Sequence, residues 1–326
     1  MNIIFSEYCG LGNSVLLSAS FNELKYNTTH NLSLIGNDKF SGVTVNEFNQ
    51  NLDEKVNLSK MNIKIFFRLI SLLKKCDYLV IPAHSNPSTF FLTMTYIFFK
   101  KKIIHSHNLY KNMHFIKKLF LRLILFFKKI EFIEVEYLND LHEIEINKMF
   151  INKICTFDKQ KKKISMLNYF SHPGDESCME KFALINKKYI VLQPFCANGT
   201  ETLKVWPFEN FKELTEMVLN EYNDLNIVLV GDGGDQKNFT RFISDPKIIN
   251  IISKTKINEL ITILKNASFI VCHDSSILHL SDSMNLKNIS LFGPTNFNKN
   301  KPNNLNSFYI RKKIMKEIYP LEVFGI

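Results

Sequence analysis

Residues 269–295 read FIVCHDSSILHLSDSMNLKNISLFGPT, and their pattern is strand, tight turn, helix, strand, loop. The run 269–272 is short, apolar and β-rich, as expected of a strand covered on both faces of a parallel sheet. Asp274, Ser275 and Ser276 supply capping side chains just before Ile277, Leu278 and Leu280 begin a helical rhythm. A second strand, 288–292, runs into Gly293-Pro294, which stops it. A helix that opens at the carboxyl end of a parallel strand turns free N–H groups and partial positive charge toward the crevice where such sheets bind ligands. The stretch therefore reads as an anion site. His279, on the exposed first turns, and the loop Gly293-Pro294-Thr295 at the same edge are expected to face one ligand. The plainer alternative is one more βαβ unit whose aspartate only caps a helix.

The rest of the second half repeats this alternation. Strands are expected at 189–193, 226–230 and 248–252, helices at 208–222 and 258–266, and a glycine turn at Gly231-Asp232-Gly233-Gly234. With the quoted stretch this makes a doubly wound α/β sheet, for which strand–helix alternation leaves little other topology. The tail, residues 306–326, reads as a closing helix that reaches back to the first domain. Upstream, periodicity fades around 165–188, and 176–186 reads as a short linking helix. The chain is accordingly expected to form a first domain over 1–175, a second over 176–305, and the closing helix.

The first half starts in the same style. Residues 2–6 form a strand, Gly10-Leu11-Gly12-Asn13 a tight turn, and 14–24 a helix; 32–35 and 78–82 are further strands and 61–74 a helix. The G-x-G spacing resembles a dinucleotide fingerprint, but the third glycine is missing and Val15 follows, so a nicotinamide oxidoreductase is the weaker reading.

Composition narrows the rest. Six cysteines (9, 76, 155, 178, 196 and 272) include no C-x-x-C pair, so neither a zinc site nor a disulfide framework is expected, and a reduced cytoplasm fits. The start lacks a basic and apolar leader, and the longest uncharged apolar stretch, 90–99, is roughly half of the ~20 residues that span a bilayer. His84, His105, His107 and His114 have no metal-pair spacing. The net charge of +10 is concentrated between Asp77 and Glu131, where no acidic residue occurs and Lys100, Lys101, Lys102, Lys111, Lys117, Lys118, Arg122, Lys128 and Lys129 all lie. Ile116, Leu119, Phe120, Leu123, Ile124 and Phe127 share a helical face there. A basic amphipathic helix over the segment 100–129 points to an anionic membrane surface, with a solvated core helix as the alternative. No nucleic-acid-binding module accompanies it.

Beyond the strand ending at Gln193-Pro194, Thr200 and Lys204 fall in the loop before Trp206-Pro207 and the next helix. A lysine and a hydroxyl at this sheet edge can meet the same anion as Ser275 and Ser276.

Three motifs now stand in order: Lys204-Val205-Trp206-Pro207, Asp274-Ser275-Ser276-Ile277-Leu278-His279-Leu280 and Phe292-Gly293-Pro294-Thr295. Over about residues 188–300 the chain resembles glycosyltransferase family 9, the bacterial heptosyltransferases; the first half matches only at Gly12-Asn13. The resemblance implies a GT-B fold, two Rossmann-like domains facing a central cleft, with the nucleotide-sugar donor on the second domain and the acceptor on the first. It implies inverting transfer without a metal or other cofactor, ADP-linked heptose being the family's commonest donor. Lys204, Thr200 and the helix end at Ser275-Ser276 would stabilise the departing diphosphate, Asp274 would orient the loop or donor sugar, and His279 would support the diphosphate end.

The chain departs from that pattern at Asn13, where the family carries the aspartate expected as general base, and at Glu7, where it usually has a basic residue. An amide takes no proton at neutral pH. Glu7, across the same turn, is the candidate replacement. The leading expectation is a cytoplasmic glycosyltransferase, peripheral on the membrane, that modifies a lipopolysaccharide, lipooligosaccharide or other surface glycan. The alternative is a catalytically silent nucleotide-sugar-binding or scaffold protein.

Overall fold

The computed structural model describes residues 1–7, 10–36, 49–60, 62–81, 102–106, 131–135, 140–155, 172–195, 203–231 and 245–326, with single positions 115, 119, 123, 138 and 170. The chain divides into two compact units, Met1–Ser165 and Met166–Ile326.

In the first unit, β1 (Asn2–Glu7), α1 (Leu11–Asn27), β2 (Asn31–Gly36), β3 (Glu54–Asn57), α2 (Ile63–Lys75), β4 (Tyr78–Ile81), β5 (Lys102–Ser106), β6 (Phe132–Val135) and α3 (Glu143–Asn152) follow in order. The strands form one parallel sheet in the order β3-β2-β1-β4-β5-β6. Ile3, Phe5, Leu32, Leu34 and Val80 from the strands pack with Leu17, Phe21 and Leu24 of α1 and with Ile146 and Phe150 of α3. Helix α1 starts earlier than the aliphatic rhythm suggests. Ser14 and Ser18 donate to the carbonyls of Gly10 and Ser14, so small hydroxyl side chains are buried without an unmet bond at those two positions. Strands β3, β5 and β6 and helix α3 were not expected from the sequence. Glu54–Asn57 is a short polar edge strand, and its alternation is too brief to read.

The second unit contains α4 (Ser177–Lys181), β7 (Lys188–Leu192), α5 (Phe208–Glu221), β8 (Leu225–Leu229), β9 (Ile248–Asn250), α6 (Ile257–Lys265), β10 (Phe269–His273), α7 (Ser276–Ser283), β11 (Asn288–Phe292), α8 (Phe297–Asn300), β12 (Ser307–Arg311) and α9 (Pro320–Phe324). Its sheet is also parallel, in the order β12-β11-β10-β7-β8-β9. Counted from each unit's first strand, both sheets have the same order, 3-2-1-4-5-6. The topological switch point thus falls between β1 and β4 in one and between β7 and β10 in the other, and ligands of doubly wound sheets bind at that point.

The tail corrects the sequence reading. Residues 307–311 are a strand, with Phe292 in register with Arg311, and α9 packs on α5 of its own unit. The aliphatic spacing after Asn306 resembles a helix, but an open sheet edge beside β11 decides otherwise. Asp282, buried at the end of α7, accepts hydrogen bonds from the N–H groups of Asn303 and Asn304 and from the Ser307 hydroxyl, fixing the turn that delivers the edge strand.

Candidate functional site

The site is built from the two loops that leave the switch point. Gln193, the residue after β7, is buried; its N–H donates to the Val271 carbonyl at 2.9 Å. Its Oε1 accepts from the His273 N–H at 3.3 Å and from the Ser275 hydroxyl at 2.6 Å. One side-chain amide therefore ties the end of β7 to the end of β10 and sets the turn before α7. Ser275 is the N-cap of α7, accepting from the Ile277 N–H at 3.3 Å. Gly231, after β8, has φ of +136°, and a Cβ there would stand 3.2 Å from the Phe195 carbonyl, so only glycine leaves room for the outgoing β7 loop.

Helix α7 is buried from Ile277 to Ser283, while Ser275 and Ser276 stay half-exposed at its amino end. This corrects the placing of His279 on an exposed turn: it is 7% exposed, on the buried second turn of the helix. The groups α7 leaves for a ligand are the first-turn N–H groups other than that of Ile277 and the Ser276 hydroxyl, because the Ser275 hydroxyl already donates to Gln193 and accepts from Ile277.

Asp274 lies just before them, its side chain only 3% exposed. One oxygen accepts from the Asn300 amide at 3.2 Å and stands 3.9 Å from the Lys204 ammonium, whose side chain is 46% exposed. Only the ammonium is half-exposed, and at 3.9 Å, beyond hydrogen-bond length, its hold on the buried carboxylate is weak. Lys204 is held by an interaction weak enough for a bound anion to replace. Asp274, as a carboxylate, is suited to orient the lysine or accept from sugar hydroxyls, not to touch a phosphate.

Two contacts fix the lysine loop from behind. Trp206, 1% exposed, donates its backbone N–H to His273 Nε2 at 2.9 Å and its indole N–H to the Ile318 carbonyl at 2.9 Å. Its ring meets Phe211 edge-on at 4.8 Å. The third motif abuts the same loop. A Cβ on Gly293 would lie 2.8 Å from Met315 Cγ and 3.2 Å from the Leu203 carbonyl, so a side chain there would have to displace Met315 and crowd the lysine loop. The structure thus brings Lys204, Asp274, Ser275, Ser276 and Gly293-Pro294-Thr295 together at one edge. Thr200 lies outside the described residues. Asn13 sits half-buried on the first turn of α1; Glu7 ends β1, in register with Gly36, and its side chain lies outside the description. Most of the basic segment is also outside it; Phe115, Leu119 and Leu123 are helical and 73%, 49% and 47% exposed. No described helix is long and apolar enough to cross a membrane.

Gln193, His273 and Asn300 are the positioning residues that sequence reasoning missed. The available signal was a polar residue at the end of each of two otherwise apolar strands.

His273 also gives a pH prediction. Complete burial lowers its pKa from 6.5 to about 3, and Nε2 is occupied as the acceptor for the Trp206 N–H. A histidine held neutral contributes stability that is fully present above the unfolded value of 6.5 and is lost as pH falls from there toward the folded value. Between pH 6.5 and 5 the second unit should lose about 2 kcal/mol to this ring alone. Denaturant unfolding of His273→Gln should show that slope reduced; equal slopes in both proteins would contradict the assignment.

The family model for glycosyltransferase family 9 (heptosyltransferase) matches residues 127–318. Lipooligosaccharide heptosyltransferase 2 of Haemophilus influenzae is 26% identical over 121 residues, 35% of this chain and 34% of that protein. Lipopolysaccharide heptosyltransferase 1 of Salmonella typhimurium is 25% identical over 157 residues, 47% of this chain and 45% of that protein. In these matches the chain spans less than half the length of either curated relative. The structure of E. coli ADP-heptose LPS heptosyltransferase II has a TM-score of 0.72 over 100% of this chain and 97% of that one, at 13% identity, a likeness of fold.

Proposed function

The chain belongs to glycosyltransferase family 9, and from that premise we propose that it is an inverting, metal-independent glycosyltransferase. It moves heptose or a related sugar from a nucleotide-diphosphate donor, ADP-linked by preference, to a lipopolysaccharide, lipooligosaccharide or other surface-glycan acceptor. The observation that carries this reading is Lys204 at 3.9 Å from Asp274, beside the serine-capped amino end of α7, at the switch point of the second sheet. Breaking the bond between sugar and diphosphate leaves charge on the diphosphate, and a cation with a helix amino end stabilises it more in the transition state than in the bound donor. Thr200 joins this donor set, with Gly293-Pro294-Thr295 as the wall on the β11 side and His279 supporting the diphosphate end from within α7. The ADP-heptose named for the E. coli structure and the glycolipids named for the two curated relatives support the choice of donor and acceptor.

The acceptor is held by the first domain, the first sheet's unit extended to residue 175, and Glu7 takes the proton of its hydroxyl. Glu7 ends β1, the first strand at that sheet's switch point, and Asn13 stands where the family has its base. The protein works at the cytoplasmic face of the membrane, bound there through the segment 100–129. Exposed Phe115, Leu119 and Leu123 with Lys117, Lys118 and Arg122 near them in sequence support that contact. Asn13 favours one alternative, a protein that binds donor without turning it over.

The test is a thermal-shift panel of nucleotide sugars followed by nucleoside diphosphate release with glycolipid acceptor. An ADP-sugar should raise the melting temperature most, by mass action on the folded state. Release should then require acceptor and fall about 100-fold or more in Glu7→Gln with donor binding unchanged. Binding without release would favour the silent alternative, and full turnover by Glu7→Gln would remove Glu7 from the mechanism.

A further inference from the structure

Strands β11 and β12 run parallel and in register, so the loops that follow them reach the same carboxyl edge: Phe292 pairs with Arg311, and the Lys312 N–H donates to the Phe292 carbonyl at 3.0 Å. Between them lies a cavity of about 430 Å³ lined by Gly293, Pro294, Thr295, Arg311, Lys312 and Lys313. Three consecutive cations form one wall, and only Lys312 has a carboxylate partner among the described residues, Glu322 at 2.7 Å. The Arg311 guanidinium is stacked over Phe297 at 4.9 Å, and Phe297 is braced by Phe292 and Tyr309 at 5.1 and 4.6 Å. An arginine fixed by an aromatic cluster keeps its N–H fork ready for an oxyanion. Thr295 also lines the cavity; its hydroxyl oxygen is enclosed without a hydrogen-bond partner among the described residues, and a rotamer change would be needed to turn it to an anion there. A cavity with this lining fits a small dianion.

We infer that this cavity is a second anion subsite, which takes a phosphate or phosphate monoester distinct from the donor's diphosphate. The inference deepens the transferase reading and rests on it for the position of the donor. The diphosphate position lies between the ends of β7 and β10, and β12 is two strands beyond β10. At about 4.8 Å per strand the two positions are on the order of 10 Å apart or more, too far for one diphosphate to fill both. They are nonetheless neighbours, because the Leu203 carbonyl packs where a Gly293 side chain would stand. A phosphoryl group here would belong to the acceptor glycan or be free phosphate.

Calorimetric titration of inorganic phosphate into the ADP-saturated protein tests this. Wild type should still bind phosphate, and Arg311→Ala with Lys313→Ala should weaken that binding about tenfold or more while ADP affinity changes less than twofold. Lys204→Ala should do the opposite. Both residues of the double variant are exposed, and an unchanged melting temperature checks its fold; Arg311→Lys, which keeps the charge but loses the fork, should be intermediate. Failure of ADP to bind would remove the donor reading and leave the phosphate arm to be read on the free protein. Absence of phosphate binding in wild type, or an equal loss of ADP and phosphate in the double variant, would overturn the inference. Phosphatase treatment of the acceptor separates the sources: a raised acceptor KM in wild type alone assigns the site to the acceptor, and an unchanged KM with phosphate still bound assigns it to free phosphate.

Discussion

Lys204→Ala should lower the rate of nucleoside diphosphate release by about 100- to 1,000-fold and leave the folded protein almost as stable as before. The size is that of removing one pre-positioned charge donor from a site where charge develops. Stability changes little because the ammonium is 46% exposed and only 3.9 Å from Asp274, and the buried carboxylate keeps its bond from the Asn300 amide at 3.2 Å; a long contact of this kind is worth about 1 kcal/mol. Lys204→Arg keeps the charge but presents a planar fork in a space set by the Asp274 contact, so it should recover only part of the rate. Steady-state release with saturating acceptor checks both variants. Turnover within twofold of wild type in Lys204→Ala would show that the lysine stabilises no developing charge.

The largest effect on stability belongs to the tryptophan two residues further on. Trp206 is the chain's single tryptophan and is 1% exposed. It packs in one core with Leu192, Phe195, Phe211, Leu214, Leu291, Met315 and Ile318. Trp206→Ala should destabilise the second unit by about 3–5 kcal/mol through lost burial and the cavity left behind. It also removes one of two hydrogen bonds to the Ile318 carbonyl, which keeps the one from the Asn210 amide at 3.1 Å. Trp206→Phe, which refills most of the volume, should cost less than half as much. Denaturant unfolding followed by circular dichroism measures both, and a loss under 1 kcal/mol for the alanine variant would contradict this packing. The consequence for the site is direct: the same residue's N–H rests on His273, so loosening it frees the segment that carries Lys204.

The second sheet was legible because its central strands are continuous apolar runs. Residues 269–273 and 288–292 are buried almost throughout, and one helix with a clear serine cap separates them. The site was legible where it depended on capping chemistry and glycine, as at Ser275 and Gly293. It was not legible where it depended on pairing between distant segments. Gln193 bridges to Ser275 across 82 positions, and its amide reads locally as an ordinary strand end. His279 is buried where an exposed turn is expected, because helical spacing gives which residues share a face but not how many neighbours surround the helix; α7 is enclosed after Ser276. The edge strand β12 reads as helix in the sequence because its burial is shallow and its partner lies outside its own sequence window.

On the proposed function a diphosphate sits between Lys204 and the amino end of α7. A crystal structure of the protein with a bound sugar nucleotide tests it most directly. Phosphate oxygens are expected within about 3 Å of the Lys204 ammonium and of the Ser275 or Ser276 N–H. A diphosphate found elsewhere, with Lys204 turned into solvent and the end of α7 unliganded, would contradict it.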